Sequence, residues 1–513
     1  MVAGIAATGA GTTQTQVMAL SALAVALIVA YGRSGPRLLG PLIAAAAVQV
    51  LLRLPEGPFL GASALAAGAG MLPVLFSGYR QARREERRAA RAAAGVLSLL
   101  LVAGIVLGAI AAAEARHQVL RALDDTRAAL TVARRGDRTG AAQRLERAAA
   151  RFDSASSSLD GPLAAAGRMV PWAGIQVEAA AKLTSIGGSL AETAADALAR
   201  TDLESIAVEG GQIDVARLAS FAAPLATVAE AVDDAGHDLA GVDSGWLIAP
   251  LATRADRLER QLDQAADSTD LALDVVRTAP SLLGADGPRR YGVLFMTPAE
   301  ARGLGGFVGS WAELAADAGT LSLADAGDIQ DLQPPQRSAD WTITGPADYL
   351  DRYGRFRPGQ FVQDITFSPD FPSVARVAEE IWPQARGVGV DGVIVVDPLA
   401  LRALLRLTGP VQVPQAGIRL DAATAADLLL REQYTRFGDD DPAREAFLDE
   451  AIRQMFGALT SRRLPSPQRL GEILGPSVEE GRLAVHSVQP DEQAMLARVE
   501  LADSFPQPDQ GDL

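Results

Sequence analysis

The sequence predicts a three-part, multi-domain chain: a transmembrane region of four helices at residues 1–115, an all-α stalk at 116–280, and an α/β domain at 285–505. Three patterns predict it. Apolar stretches of bilayer length crowd the start of the chain. Apolar residues then recur at spacings of three and four, the period of amphipathic helices. After Pro280, short β-rich runs alternate with helical ones, the texture of a sheet covered by helices. The polar, proline-containing end, 506–513, is expected to be a disordered tail.

The apolar stretches run over Gln16–Tyr31, Leu38–Leu54, Pro58–Gly78 and Ala92–Ala113. Crossing a bilayer takes about 20 apolar residues, which the third and fourth stretches supply and the first two approach. Between the third and fourth lies Tyr79-Arg80-Gln81-Ala82-Arg83-Arg84-Glu85-Glu86-Arg87-Arg88-Ala89-Ala90-Arg91, and the first short loop carries Arg33 and Arg37. Short arginine-rich loops resist translocation and stay cytoplasmic. Four spans then place both the N-terminus and everything after Glu114 outside the cytoplasm, a multi-pass membrane protein with a large extracytoplasmic part. No charged region precedes the first apolar run, so a cleavable signal peptide is not expected. The spans hold almost no ionisable residue, with Gln49 as their main polar interruption, which argues against an ion or substrate path.

In the stalk, Leu145, Ala148, Phe152, Ala155 and Leu159 form one stripe; Leu251, Ala255, Leu258, Leu262, Ala265, Thr269, Ala272 and Val276 form another. Each stripe needs a partner helix. Gly136-Asp137 and Asp160-Gly161-Pro162 read as turns between helices, and Pro171, Pro224 and Pro250 as starts or breaks. The expected object is an antiparallel bundle.

In the last part, Arg290–Met296 reads as a buried strand, with Trp311–Ala315 and Thr320–Ala324 as a hairpin turning at Asp317-Ala318-Gly319. A helix at Ser373–Ile381, a strand at Gly392–Val396, a helix at Pro398–Leu407 and a short strand at Val411–Val413 follow. Further helices are expected at Ala422–Arg431 and Arg444–Leu459. The run Arg302-Gly303-Leu304-Gly305-Gly306-Phe307-Val308-Gly309-Ser310 is glycine-rich, yet Val308 stands where G-x-G-x-x-G needs its last glycine. No GK[ST] is present and a strand follows it, not a helix. Two readings stay open: a turn where backbones approach closely, or an anion site made by backbone amides plus Arg302.

Composition narrows the chemistry. The net charge of −15 argues against a nucleic-acid partner, which needs a basic face. Cysteine is absent, so disulfides and thiolate metal sites are excluded. The three histidines, His117, His237 and His486, lie far apart in sequence and match neither H-x-x-x-H nor H-E-x-x-H.

Glu300-Ala301-Arg302 running into Gly305-Gly306-Phe307-Val308-Gly309-Ser310 resembles the E-x-R-x-x-G-G-F-x-G-S hallmark of the family known as domain of unknown function 4012 (DUF4012). Ser368-Pro369-Asp370-Phe371-Pro372, Val390-Asp391-Gly392-Val393-Ile394 and Leu407-Thr408-Gly409-Pro410-Val411 match further stretches in the family's order. Val485-His486-Ser487 and Asp491-Glu492-Gln493 do so too. The resemblance spans about Arg289–Phe505 and, more loosely, the stalk, where Val170-Pro171-Trp172 matches a short element. It implies a membrane protein of a Gram-positive, often actinobacterial, envelope, and no established activity. Asp391–Pro414 is also similar to the middle of LytR-CpsA-Psr domains, extracytoplasmic transferases that move glycans from polyprenyl-pyrophosphate carriers to the cell wall. Arg431, Arg436, Asp439, Arg444, Phe447 and Leu448 follow in a similar order. Two departures stand out: Glu445 where those transferases have glutamine after the arginine, and no Asp-Thr pair in Arg290–Met296.

That second resemblance implies a pyrophosphate held by Arg431, Arg436 and Arg444, to which the anion reading of the glycine-rich run adds Arg302, since guanidinium forks grip phosphate oxygens bidentately. A Mg²⁺ cofactor on Asp364 or Asp370 would neutralise the remaining charge. Glu300, Gly305 and Gly306 are expected to be structural. Two functions follow as expectations: binding, or phosphotransfer, of a polyprenyl-pyrophosphate-linked or other anionic glycan, and a non-catalytic scaffold for envelope or polysaccharide-export proteins. Beyond these, the lipid bilayer is the expected partner.

Overall fold

The computed structural model describes residues 79–80, 82–133, 135–168, 170–201, 210–242, 247–336, 339–465 and 467–503. The first three expected spans and the tail lie outside the described residues. The chain divides into two compact units, one comprising the residues up to Ala195 with Asp233–Leu262, the other Asp196–Val232 with Asp263 onward.

The first unit is helical. Helix α1 (Arg84–Ala133) has 50 residues, about 75 Å at 1.5 Å per residue. Helices α2 (Arg138–Asp160), α3 (Pro162–Arg168) and α4 (Pro171–Arg200) follow. The breaks fall at the expected turns: Asp137 caps α2 by accepting from Gly140 N, and Gly161 ends it in extended backbone. The stripe Leu145, Ala148, Phe152, Ala155 and Leu159 is buried throughout, as its spacing predicts. It meets α1 antiparallel: Ala155 and Leu159 join Ala111 and Ala115, while Ala148 and Phe152 join Ala122. Helix α4 lies along both, bringing Val177 to the first group and Ala191 to the second. Small side chains dominate these contacts, so the helix axes approach closely.

Within α1, Val96, Leu97, Leu99, Leu100, Val102, Ile105, Val106 and Ile110 are all at least half exposed. Among the described residues two helices, Arg84–Ala133 and Val215–Ala240, are long and apolar enough to cross a membrane. This departs from the expected four-helix region: one of the two contains the expected span Ala92–Ala113, and the other lies where only stalk was expected.

Helix α5 (Val215–Ala219) belongs to the second unit, α6 (Ala222–Ala240) and α7 (Ala249–Leu282) each have residues in both, and α7 leads to the sheet. Five strands run in the order β3-β2-β1-β4-β7. They are β1 (Arg289–Thr297), β2 (Phe307–Asp317), β3 (Thr320–Asp328), β4 (Gly392–Val396) and β7 (Leu483–Ser487), while β5 (Val411–Val413) and β6 (Ile418–Leu420) form a separate pair. The hairpin turns where expected, on Ala318 and Gly319, both at positive φ. A Cβ on Gly319 would stand 2.0 Å from Ile213 O, so only glycine fits. The central β1 pairs antiparallel with β2 and parallel with β4.

Both faces of this sheet are covered. Helix α8 (Ala347–Tyr353) and helix α9 (Phe371–Arg386) bring Tyr349, Phe371, Val374, Val377, Ile381 and Trp382 to one core with Leu294, Met296 and Trp311. On the other face Val293, Ala312 and Val396 meet α10 (Pro398–Thr408) and α13 (Asp441–Ser461). Alternation along β1 sends Val293 and Leu294 to opposite cores. Between α10 and α13 in sequence, α11 (Ala425–Asp427) and α12 (Gln433–Phe437) flank a π turn at Leu428–Glu432, where a single helix is expected over Ala422–Arg431. Helices α14 (Pro467–Glu479) and α15 (Pro490–Arg498) complete the unit. The expected α7 stripe is spent inside the chain: Ala255, Leu262 and Val276 are buried, Val276 beside Phe221.

Candidate functional site

The glycine-rich run leaves β1 at its C-terminal end, beside the matching end of the parallel strand β4. Ligand sites of open α/β sheets gather at such ends. Here the run is packed against the chain that precedes α9. A Cβ on Gly303 would fall 2.2 Å from Phe367 O, and one on Gly306 2.3 Å from Thr297 O. Leu304 N donates to Thr366 O at 3.0 Å, and Thr366 Oγ1 donates to Gly306 O at 2.6 Å. Backbone thus approaches Gly303 and Gly306 too closely for a side chain, while a Cβ on Gly305 would meet open space.

Arg302 closes this turn. Its Nε donates to Asp364 at 2.8 Å, its Nη1 to Ala301 O at 2.9 Å and its Nη2 to Glu300 at 3.2 Å. Burial opposes the charge, but the bonds to Asp364 and Glu300 outweigh it and push the guanidinium pKa up. The guanidinium also lies 5.0 Å from the Phe367 ring centre; Phe367 stacks on Phe356 at 4.6 Å, and Arg355 covers Phe356 at 4.7 Å. The result is a column of two cations and two rings. Sequence reasoning named Arg302, Glu300 and Asp364 and missed both phenylalanines, whose only signal is their place in the run Arg355–Phe367.

The expected anion-binding arginines are not assembled as open forks. Arg431 is held by Asp427 one turn back, with Nε at 3.1 Å. Arg444 pairs with Asp441 at 2.6 Å and lies 5.4 Å from the Tyr434 ring centre. Arg436 is exposed and has no ion-pair partner among the described residues. Each held arginine has a different carboxylate, and Arg302 keeps its own in the turn. The surroundings of Arg444 are acidic. Burial first, then repulsion from neighbours including Asp331, pushes the Asp328, Glu445 and Asp449 carboxyls above their usual values.

The expected metal ligands are engaged elsewhere. Asp364 takes Arg302, and Asp370 caps α9, accepting from Ser373 N at 3.0 Å and Ser373 Oγ at 2.5 Å. No group of three or more His, Asp or Glu side chains suited to a metal occurs among the described residues. Both carboxylates are thus committed to protein partners.

A further polar pair lies beneath α9. His486 Nε2, buried, stands 3.3 Å from Oε1 of the partly buried Glu379, with Phe371 packed edge-on to the imidazole. Burial pushes Glu379 up to about 7, opposed by Arg376 and aided by Glu380. Burial and Arg376 press His486 down to about 4, against the pull of Asp370. Ser487, next along β7, donates to Glu492, which also accepts from Ser281 Oγ at 2.8 Å and from Arg289 at 3.2 Å. Arg289 reaches Asp391 at 3.4 Å. These bonds tie β7, α15, β1 and the start of β4 together.

A mixed sheet covered on both faces, with its glycine-rich turn clamped by an arginine, defines an α/β domain. Residues 286–434 match the model of the family described as "Protein of unknown function (DUF4012)", so the resemblance read from the motifs at 300–310, 368–372, 390–394 and 407–411 holds over that stretch. No curated protein and no solved structure matches the chain.

Proposed function

We propose that the chain is a membrane-anchored protein of the cell envelope whose α/β domain serves as a non-catalytic scaffold for envelope assembly. The observation that carries this reading is the state of the guanidinium groups. Arg302, Arg431 and Arg444 are each satisfied by carboxylates of their own neighbourhood, and Arg444 stands among Asp328, Asp331, Glu445 and Asp449. A pyrophosphate entering there would meet like charge and would have to displace ion pairs already made. The exposed apolar girdle of α1 supports the anchor. The arginines at 80, 83, 84, 87, 88 and 91, just before it, support a cytoplasmic start, with the residues after Glu114 on the other side.

The test uses the full chain in nanodiscs with farnesyl pyrophosphate as the probe, read by native mass spectrometry. The expected result is no specific binding, unchanged by Arg436→Ala with Arg444→Ala. Binding that these substitutions abolish would overturn the scaffold and restore a pyrophosphate-glycan site. Protease added to intact spheroplasts should digest the α/β domain; digestion only in inside-out vesicles would reverse the sidedness.

A further inference from the structure

The helical unit has one end that is unlike the rest of its surface. Outside the girdle of α1, its described residues expose four large apolar side chains. Leu120 and Leu130 lie on α1 past Glu114; the other two are Leu163 and Ile248, at 43% and 39%. Both lie at the end where α2 turns into α3. Ile248 N donates to Gln176 Oε1 at 2.9 Å, one residue before Val177, and Val177 packs with Ala111, Ala115 and Ala164. The exposed girdle of α1, Val96–Ile110, is continuous with this end.

Helix α3 descends alongside that girdle. Ala164 packs at the level of Ala111 and Ala115, and the chain then reaches Gly108 and Gly104. A Cβ on Gly108 would stand 3.1 Å from Gly167 Cα, and one on Gly104 would stand 2.8 Å from Ala166 O and 3.0 Å from Val170 Cγ2. Gly104 and Gly108 form a small-x-x-x-small face, the kind that lets helices touch backbone to backbone inside a membrane. Gly104 lies ten residues before Glu114, the first charge after the apolar run, which is about 15 Å along the helix axis. The hydrocarbon core is about 30 Å thick, so the α3–α4 turn reaches well below the surface on the Glu114 side.

The segment is suited to that depth. From Gly161 to Val177 its one ionisable side chain is Arg168. Arg168 turns back towards the end of α2, where it donates to Leu159 O at 3.1 Å and pairs with Asp160. A long cationic side chain near a membrane boundary behaves this way, its stem in the apolar layer and its head drawn to the polar edge. Two backbone bonds lie at the turn, where helix gives way: Val170 N donates to Gly167 O at 3.0 Å and Gly174 N to Val170 O at 2.8 Å. Non-helical backbone is tolerated at membrane depth only when its polar groups are met like this.

From this we infer that α3, the start of α4, Leu247 and Ile248 form an elbow sunk into the leaflet on the Glu114 side, with Leu163 and Ile248 in contact with lipid acyl chains. The inference rests on the reading of α1 as a span.

The chain has no cysteine, so single cysteines can report depth without competing thiols. Leu163→Cys and Ile248→Cys, with Leu100→Cys and Leu130→Cys as references, are spin-labelled in the full chain in phosphatidylglycerol/phosphatidylethanolamine proteoliposomes. Collision rates with oxygen and with a water-soluble nickel chelate are then measured. All four positions are exposed, so folding should survive the labels. Labels at 163 and 248 should collide with oxygen and be shielded from nickel, as at 100, while the label at 130 should show the reverse. Nickel access at 163 and 248 with a shielded 100 would overturn the elbow and leave the span intact. Shielding of 163 and 248 from both reagents would mean that protein covers them, and would overturn it as well. Nickel access at 100 would remove the span itself, and the elbow with it.

Discussion

The helical unit packs alanine on alanine, with Ala111, Ala115, Ala122, Ala148 and Ala155 among its centres, whereas the α/β unit packs Trp311, Trp382, Tyr349, Phe371 and Ile381 between sheet and helix. An alanine methyl removes little apolar surface from water, so close-packed small residues work by letting long helices lie in contact over many turns. A buried tryptophan removes far more at a single point. Each region should therefore be fragile in its own way. The α/β unit should suffer from side chains made smaller, and the helical unit from side chains made larger.

The largest effect is expected at Trp382, which is fully buried, meets Trp311 edge-on at 5.7 Å and covers Gly292. Trp382→Ala should cost about 3–5 kcal/mol. Amide hydrogen exchange should speed up in β1 and stay unchanged in α2; equal loosening of both would mean that the two regions do not respond separately.

Next is the His486–Glu379 pair. In the folded chain it holds one proton between about pH 4 and about pH 7. In the unfolded chain, with usual values of 4.5 and 6.5, it also holds one proton over most of that range, so the two shifts nearly cancel in stability. Removing either partner exposes the other. Glu379→Gln leaves a histidine with a lowered pKa, whose contribution is present above 6.5 and lost as pH falls towards about 4. His486→Asn leaves a carboxyl with a raised pKa, and stability is lost as pH rises from 4.5 to about 7. Each slope should amount to roughly 2–3 kcal/mol. Urea unfolding at pH 5 and pH 8 reads both, and parallel slopes in the two variants would show that the groups are not coupled. The histidine–carboxylate pair of the helical unit, His237 with Asp233 at 3.6 Å, is exposed to solvent, so the pH response there should be flatter.

Gly108→Leu should cost about 1–3 kcal/mol by forcing α3 away from α1, with faster exchange in α3 and none added in β1. The smallest effect compares one chemistry in two settings. Asp137 and Asp397 both cap helices, Asp137 at an exposed end and Asp397 buried with Arg482 at 2.8 Å. Asp137→Ala should cost about 1 kcal/mol. Asp397→Ala should cost more, because Arg482 loses its partner, and equal costs by thermal unfolding would show that burial adds nothing.

Much of the fold was legible in the residues themselves. Strand β4 lies where Gly392–Val396 reads as one, the hairpin turns on Ala318-Gly319, and the stripe of α2 is buried position by position. Strand β7 and helix α14 are hard to see in the sequence, because a five-residue edge strand and a helix interrupted by Pro476 carry little period of their own. At the candidate site, Glu300 and Arg302 were legible as a motif, but Asp364 was assigned to a metal when it is the partner of Arg302. The arginines at 431 and 444 were read as phosphate forks because charge is visible in a sequence and its neutralisation is not.

Periodicity, apolar run length and turn residues alone determined that this chain joins a bilayer-length helix, an alanine-rich bundle and an α/β domain, since those properties depend on neighbours a few residues away. Which charges are spent, which stripe is internal and which glycines face Gly167 were decided only in three dimensions. Ion pairs such as Arg302–Asp364 and contacts such as Gly108–Gly167 join residues about 60 apart. Their energies depend on burial and distance, which no local pattern encodes.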